Sequence, residues 1–313
     1  MTRKMHTGSV AIFDALGFKG IWRRHAPDRV IARLQSLEKA GNEMIDRDVG
    51  GSRERLIADP GNAMASCRLS MLSDTVVLAL GTKPAEVLTA QGNAPDVARG
   101  WAVMVAARFA SWIMRNAALA EPAFVYRGCI AHGEFILEEN FMVGPAVDQA
   151  AEAMNSAQGG FVWLTPSARS EFEAAYILNL RASPLGMYPL VPCDVPLKGG
   201  DVYGTYAVSP FDEFGKSSPA ERGPLLERIM ATFGGGLEVE IKAQNTRRFL
   251  TSVLPQMALR DEELFRLWGR HVWEDPKPGK PDASDPHGHR RNPSRGRPDA
   301  QGKNASKRRR SRP

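Results

Sequence analysis

The chain has 313 residues, 43% of them hydrophobic, and three widely separated cysteines. It can bury a sizeable core, and nothing in it reads as a disulfide framework or a CxxC metal site. The formal charge of +6 joins two unlike parts: residues 276–313 carry 12 Lys/Arg against 3 Asp/Glu, and residues 1–275 carry a net −3. The basic balance therefore belongs to a tail and says nothing about the folded part.

No uninterrupted apolar run approaches the roughly 18 residues of a membrane span. Residues 1–9 carry basic side chains with no long apolar stretch after them, which argues against a signal peptide. With reduced thiols at Cys67, Cys129 and Cys193, the expectation is a cytoplasmic protein without a membrane partner.

The first element is Val10-Ala11-Ile12-Phe13-Asp14, a short apolar strand that ends on a carboxylate and breaks at Gly17-Phe18. An amphipathic helix follows over 28–46, with Ile31, Leu34, Leu37, Met44 and Ile45 on its apolar stripe. Two β-rich runs, 67–72 and 75–80, flank Ser73-Asp74 and read as a hairpin with an aspartate at its tip. A long helix over 96–119 is apolar on more than one face, which predicts burial. Phe124 to His132 reads as a strand, with a turn at Gly133 into 134–137. A helix opens at Pro145 and runs to about 157.

A short strand at 161–164, a helix at 166–176 and two strands at 195–200 and 202–208 complete the sheet. Three further helices are expected at 219–233, 238–254 and 261–273, packed on the main domain or on a partner chain. From Pro276 onward apolar residues vanish, which predicts disorder. The fold class is α+β: a ferredoxin-like or palm-type, mostly antiparallel sheet with helices on one face, a C-terminal helical appendage and a disordered basic tail. The expected division is 1–212, 213–275 and 276–313.

Asp14 and Asp74 are the two residues that an apolar strand and a hairpin do not need. A carboxylate in an apolar setting is expensive unless something compensates it. Asp14 can cap the following helix, and Asp74 can be an ordinary turn residue. Alternatively the hairpin lies beside the first strand, and the two carboxylates meet across a cation. Mg²⁺ takes oxygen ligands, few of them from protein, and leaves positions for phosphate and water. His132 reads as a partly buried strand residue rather than a general base.

Five segments, in order, resemble the class III nucleotidyl cyclase catalytic domain. Phe13-Asp14-Ala15-Leu16-Gly17-Phe18 resembles its first metal segment, and Leu72-Ser73-Asp74 its second. Arg127, Ile130 and Gly133 resemble its Arg-x-Gly-Ile-x-x-Gly strand. Val143-Gly144-Pro145-Ala146-Val147 resembles the start of its Gly-x-x-Val helix. Leu197-Lys198-Gly199 resembles its Lys-Gly strand pair. The likeness covers residues 8 to about 210.

The resemblance implies two Mg²⁺ or Mn²⁺ ions per site on Asp14 and Asp74, helped by the Ala15 carbonyl. It implies that Leu16, Gly17 and Phe18 cradle phosphates and that Arg127 and Lys198 neutralise the triphosphate. It further implies a homodimer with shared active sites, and attack of the ribose 3′-oxygen on the α-phosphorus with release of pyrophosphate.

Three positions depart from the pattern. Ser70 stands where purine cyclases carry a base-reading lysine. Asp148 and Glu152 stand where the helix usually has Asn and a transition-state arginine. Ser73 replaces the usual glycine before Asp74. In these respects the chain resembles the pyrimidine cyclases of bacterial Pycsar anti-phage systems. Those make cyclic UMP or cyclic CMP, which activates a separate effector.

UTP is the favoured substrate, with CTP or a purine nucleotide as alternatives; Arg68 and Ser70, alternate residues of one strand, face the expected base region. The enzyme class implied is a uridylate cyclase-type phosphorus–oxygen lyase. A first strand so close to residue 1 leaves no expected room for an N-terminal regulator. One rival reading is a cyclase homologue that binds nucleotide without turnover. The other is a nucleic-acid-binding protein, through weak, salt-dependent contact by the tail.

Overall fold

The computed structural model describes residues 4–18, 20–48, 64–92, 94–138, 141–179, 189–211, 219–234 and 236–268. The chain divides into Met1–Glu274 and Asp275–Pro313, and all described residues lie in the first unit. The expected disordered tail and residues 269–273 of the last predicted helix lie outside them. Among the described residues no helix is long and apolar enough to cross a membrane.

In chain order the elements are β1 Met5–Leu16, α1 Pro27–Asp48, β2 Met64–Leu72, β3 Thr75–Thr82, α2 Ala85–Ala90 and α3 Pro95–Leu119. There follow β4 Val125–Glu138, β5 Phe141–Val143, α4 Pro145–Met154, β6 Val162–Leu164, α5 Pro166–Asn179, β7 Leu190–Pro196 and β8 Val202–Val208. Two helices close the described chain, α6 Pro219–Ala231 and α7 Leu237–Trp268. The strands form one open sheet of eight, in the order β2-β3-β1-β4-β6-β8-β7, with β5 paired to β4. All pairings are antiparallel except β4 with β6. This is the mostly antiparallel α+β sheet that the sequence predicts.

β1 is the central strand because both its faces are apolar. Ala11, Phe13 and Ala15 point into a core built with α1, α3 and α5, which includes Leu37, Phe109 and Phe172. Val10 and Ile12 point into a second core, with Ala150 of α4, Leu225 of α6 and Phe249 of α7. Alternation along a strand puts successive side chains on opposite faces, so each face needs its own cover. The sequence predicts helices on one face; in the structure α1, α3 and α5 cover one face, and α4 and the C-terminal pair cover the other. Both layers follow from the absence of a polar face on β1.

Three boundaries differ from the sequence expectation. The turn predicted at Gly133 is absent, and β4 runs straight through it, because Gly8 of β1 lies opposite and extends the ladder to Met5. The strand predicted at 195–200 is β7, shifted to Leu190–Pro196, where Pro196 pairs with Val202 and leaves Lys198-Gly199 in the turn. The helices predicted at 238–254 and 261–273 are one helix that continues through Pro255. A proline inside a helix costs about 3 kcal/mol. Val253 and Met257, both buried on either side of it, compensate through packing.

Candidate active site

β1 delivers Asp14 to the end of the sheet. Asp14 lies opposite Thr75 of β3 on one side and Arg127 of β4 on the other. Leu72 pairs with Thr75, so Ser73-Asp74 is a two-residue hairpin loop directly beside Asp14. Ser73 takes φ 59°, the left-handed conformation that glycine adopts most easily. It is the sole non-glycine residue with positive φ among those described. The β1–β3 register thus brings together two carboxylates that are 60 residues apart in sequence.

The helix-cap reading of Asp14 does not survive. After Leu16 the chain turns at Gly17, whose φ of 73° suits glycine, and Phe18 N donates to Ala15 O at 3.4 Å. A three-residue 3₁₀ turn, Ile21–Arg23, comes next, and α1 begins only at Pro27. Leu16, Gly17 and Phe18 therefore form a turn rather than a helix N-terminus. Arg24 Nη2 donates to Gly17 O at 3.0 Å, and Phe18 is wedged between Trp22 and Phe124.

The electrostatics single out the pair. Burial raises the Asp74 carboxyl above its usual range, and the neighbouring Asp14 carboxylate raises it further. Hydrogen bonds from its own backbone N–H and from Ser73 act in the opposite sense. Arg127 Nη2 donates to Asp14 Oδ2 at 3.2 Å and to Asn155 Oδ1 at 3.1 Å. One guanidinium for two facing carboxylates leaves net negative charge at this strand end, which suits a divalent cation.

Among the described residues no group of three or more His, Cys, Asp or Glu side chains converges. A cation held here would take two carboxylates, with the Ala15 carbonyl close by, and complete its shell with water or phosphate. That donor set fits Mg²⁺ or Mn²⁺ and no softer metal.

Two residues beneath the pair escape a reading of the sequence. Tyr126, next to Arg127 but on the opposite face of β4, is fully buried, and its hydroxyl has no hydrogen-bond partner among the described residues. Burial raises that hydroxyl well above its usual range, and the charges of Asp74 and Asp14 add to the effect while Arg33 opposes it. Arg33, from α1, donates through Nη2 to Asn116 O, and burial lowers its guanidinium. Its position among Ile31, Leu34 and Leu37 reads in sequence as a solvated charge. The one available signal for Tyr126 was its adjacency to Arg127.

The remaining candidates are dispersed. Lys198 is exposed, and its backbone N donates to Ser156 O at 2.7 Å, next to the Asn155 that Arg127 touches. Ser70 and Arg68 share the face of Asp14 on the β2 edge, and the Arg68 guanidinium binds Glu138 O on β4. Arg68 lies four residues down the strand from Leu72, about 13 Å at the usual rise, so it is not brought to the carboxylates. Asp148 and Glu152 are exposed on α4. His132 is buried far down β4, its Nδ1 paired with Ser9 Oγ at 3.1 Å, and burial pushes it down to about 4. It is a core residue.

No family profile matches the sequence, and no curated protein matches it. Among the solved structures similar to this chain, three are the following. One is the catalytic core of a rhodopsin-guanylyl cyclase with converted specificity, in complex with ATPαS. It is 17% identical, with a TM-score of 0.43, over 67% of this chain and 98% of that one. The second is the adenylyl cyclase CyaB from P. aeruginosa, 13% identical, TM-score 0.36, over 66% of this chain and 96% of that one. The third is an adenylate/guanylate cyclase/hydrolase from Silicibacter pomeroyi, 15% identical, TM-score 0.31, over 67% and 99%. Likeness at this level bears on neither the site nor the activity, both of which rest on the residues above.

Proposed function

We propose that the chain is a nucleotidyl cyclase that converts a pyrimidine nucleoside triphosphate, UTP before CTP, into its 3′,5′-cyclic monophosphate and pyrophosphate. The observation that carries this reading is the meeting of Asp14, Asp74 and Arg127 at one strand end. These three come from separate segments whose order resembles the class III cyclase pattern. Divalent ions on Asp14 and Asp74 would supply charge neutralisation for the α-phosphoryl group and the departing pyrophosphate.

The protein's own part is to position and to neutralise. Asp14 and Asp74 fix the reacting end of the nucleotide. Arg127 orients Asp14 and faces the triphosphate, with Lys198 beyond it. The turn at Leu16 to Phe18 offers its backbone to phosphate oxygens. Ser70 in place of a base-reading lysine cannot make that charged contact with a purine, which supports a pyrimidine.

In this reading residues 1–212 form the catalytic unit and 213–275 an accessory helical one, and two chains share their sites as a homodimer. The product is a second messenger for a separate effector in bacterial anti-phage defence. Incubation with each of the four nucleoside triphosphates and Mn²⁺, with Asp74→Ala as control, tests the reading. Cyclic UMP from the wild type alone is the expected result. Release of no pyrophosphate from any substrate would leave a nucleotide-binding homologue without turnover, which the exposed Glu152 favours.

A further inference from the structure

The candidate site does not end at the sheet. The start of α7 is seated on the segment that follows α4. Asn245 Nδ2 donates to Gln158 O at 2.7 Å, and Gly160 N donates to Thr246 Oγ1 at 2.7 Å. Phe249 packs edge-on against Phe161 with ring centroids 5.5 Å apart. Lys242 precedes Asn245 and Thr246 by three and four residues, so it lies on the same side of the helix. Its side chain is only 18% exposed, and its Nζ contacts Glu238 Oε1 at 2.6 Å.

The same segment already anchors two other cations. Arg127 binds Asn155 Oδ1, and Lys198 is fixed through its backbone N to Ser156 O. β4, the β7–β8 turn and α7 thus meet on one short stretch of chain, through Arg127, the Lys198 backbone and Asn245 with Thr246, and Lys242 lies one turn before the last two. Glu238 is the carboxylate on which the three cations act. Lys242 foremost, then Lys198 and Arg127, hold it below the usual carboxylate range. Glu238 is itself exposed and touches Lys242, so an anion arriving from solvent meets the same cation.

We propose that the first turn of α7 is the rim of the nucleotide site. Lys242 is a third cation for the substrate's polyphosphate, beside Arg127 and Lys198. Glu238 is a built-in counter-anion that the polyphosphate displaces, and it weakens binding of any anion that cannot outcompete it. This rests on the nucleotide-binding reading of the Asp14 site. It also gives the C-terminal helices a role that the cyclase-like segments do not assign them.

The test uses the full chain and inorganic tripolyphosphate, titrated calorimetrically at low salt without divalent cations. Glu238→Gln binds about 2- to 5-fold tighter and Lys242→Met about 2- to 5-fold weaker, the range of one screened charge. Glu240→Gln, on the same turn but paired with Gln244 at 3.2 Å, binds as the wild type does. A Glu238→Gln chain indistinguishable from Glu240→Gln, or a Lys242→Met chain that binds normally, overturns the rim. Pyrophosphate release is measured in parallel. Turnover with unresponsive binding removes the rim alone. Responsive binding without turnover removes the cyclase reading and supports the rim.

Discussion

The facing carboxylates make a prediction in which stability and metal binding move in opposite directions. Asp74→Asn keeps the shape of the hairpin loop and removes one of two like charges. Two unit charges about 4 Å apart interact by about 4 kcal/mol at an effective dielectric of 20. Asp74 is only half-buried, and Arg127 already neutralises part of Asp14. Solvent screening reduces the repulsion to about 1 kcal/mol.

The metal-free variant is therefore more stable than the wild type, by about 2 °C in Tm for a chain of this size. Saturating Mn²⁺, at about 100 times its Kd, stabilises the wild type by about 2.7 kcal/mol. The variant has lost half of the pair and gains almost none of this. The order of the two melting temperatures should invert between EDTA and Mn²⁺, as followed by differential scanning fluorimetry. A variant less stable than the wild type in EDTA would show that Asp74 serves the fold. Equal Mn²⁺ shifts in both proteins would show that the pair holds no ion.

Three further outcomes follow from the packing and from one buried histidine. Gly100→Ala places a Cβ 2.1 Å from that of Ala175, where α3 crosses α5; the overpacking, about 1–3 kcal/mol, outweighs the roughly 1 kcal/mol gain in helix propensity, so Tm falls, and a rise would refute the close crossing. His132, with its folded-state value pushed down to about 4 by burial, takes up its proton in the unfolded chain first. Stability should decline as pH falls from about 6.5 through 4, by up to about 3 kcal/mol, and urea melts of His132→Gln at pH 7 and 4.5 should lack that decline. Thr246→Val leaves the Gly160 N–H without its 2.7 Å acceptor, which costs about 1–3 kcal/mol; unchanged amide exchange at Gly160 would show that α7 is not held there.

Part of the candidate site is legible in the sequence. Asp14 at the end of an apolar strand is conspicuous, because the four residues before it need no polar neighbour. Ser73-Asp74 between two β-rich runs marks a hairpin loop for the same local reason. Arg127 came only from the resemblance of its segment to the class III cyclase pattern; alone it reads as a solvated strand-end charge. Tyr126 and Arg33 could not be found this way. Each looks ordinary within its own element, a strand aromatic and a helix-surface charge. Only the packing of α1 and α3 under the sheet seats Arg33 near Tyr126, and Tyr126 near the carboxylates. Lys242 and Glu238 were similarly mute, since an i, i+4 acid–base pair reads as a solvated helix face. The boundary shifts at Gly133 and β7 have different causes: β4 is carried through Gly133 by Gly8 of β1, a partner far away in sequence that leaves no local trace, whereas β7 is set by its hairpin with β8, whose Pro196–Val202 pair leaves Lys198-Gly199 in the turn.

The sequence by itself determined the period of each element and hence the two-sided burial of β1, because side-chain alternation is a property of the local backbone. It also determined the order in which acidic and basic residues arrive along the chain. The tertiary structure alone decided which of them meet. Pairing β3 rather than β2 with β1 puts Asp74 beside Asp14, and a slip of one residue in the β1–β4 register would put Asp14 and Arg127 on opposite faces. Register is fixed by burying Val10, Ile12, Val76 and Leu78 on their proper faces. The apolar core, which takes no part in the chemistry, therefore sets the distance between the two carboxylates that do.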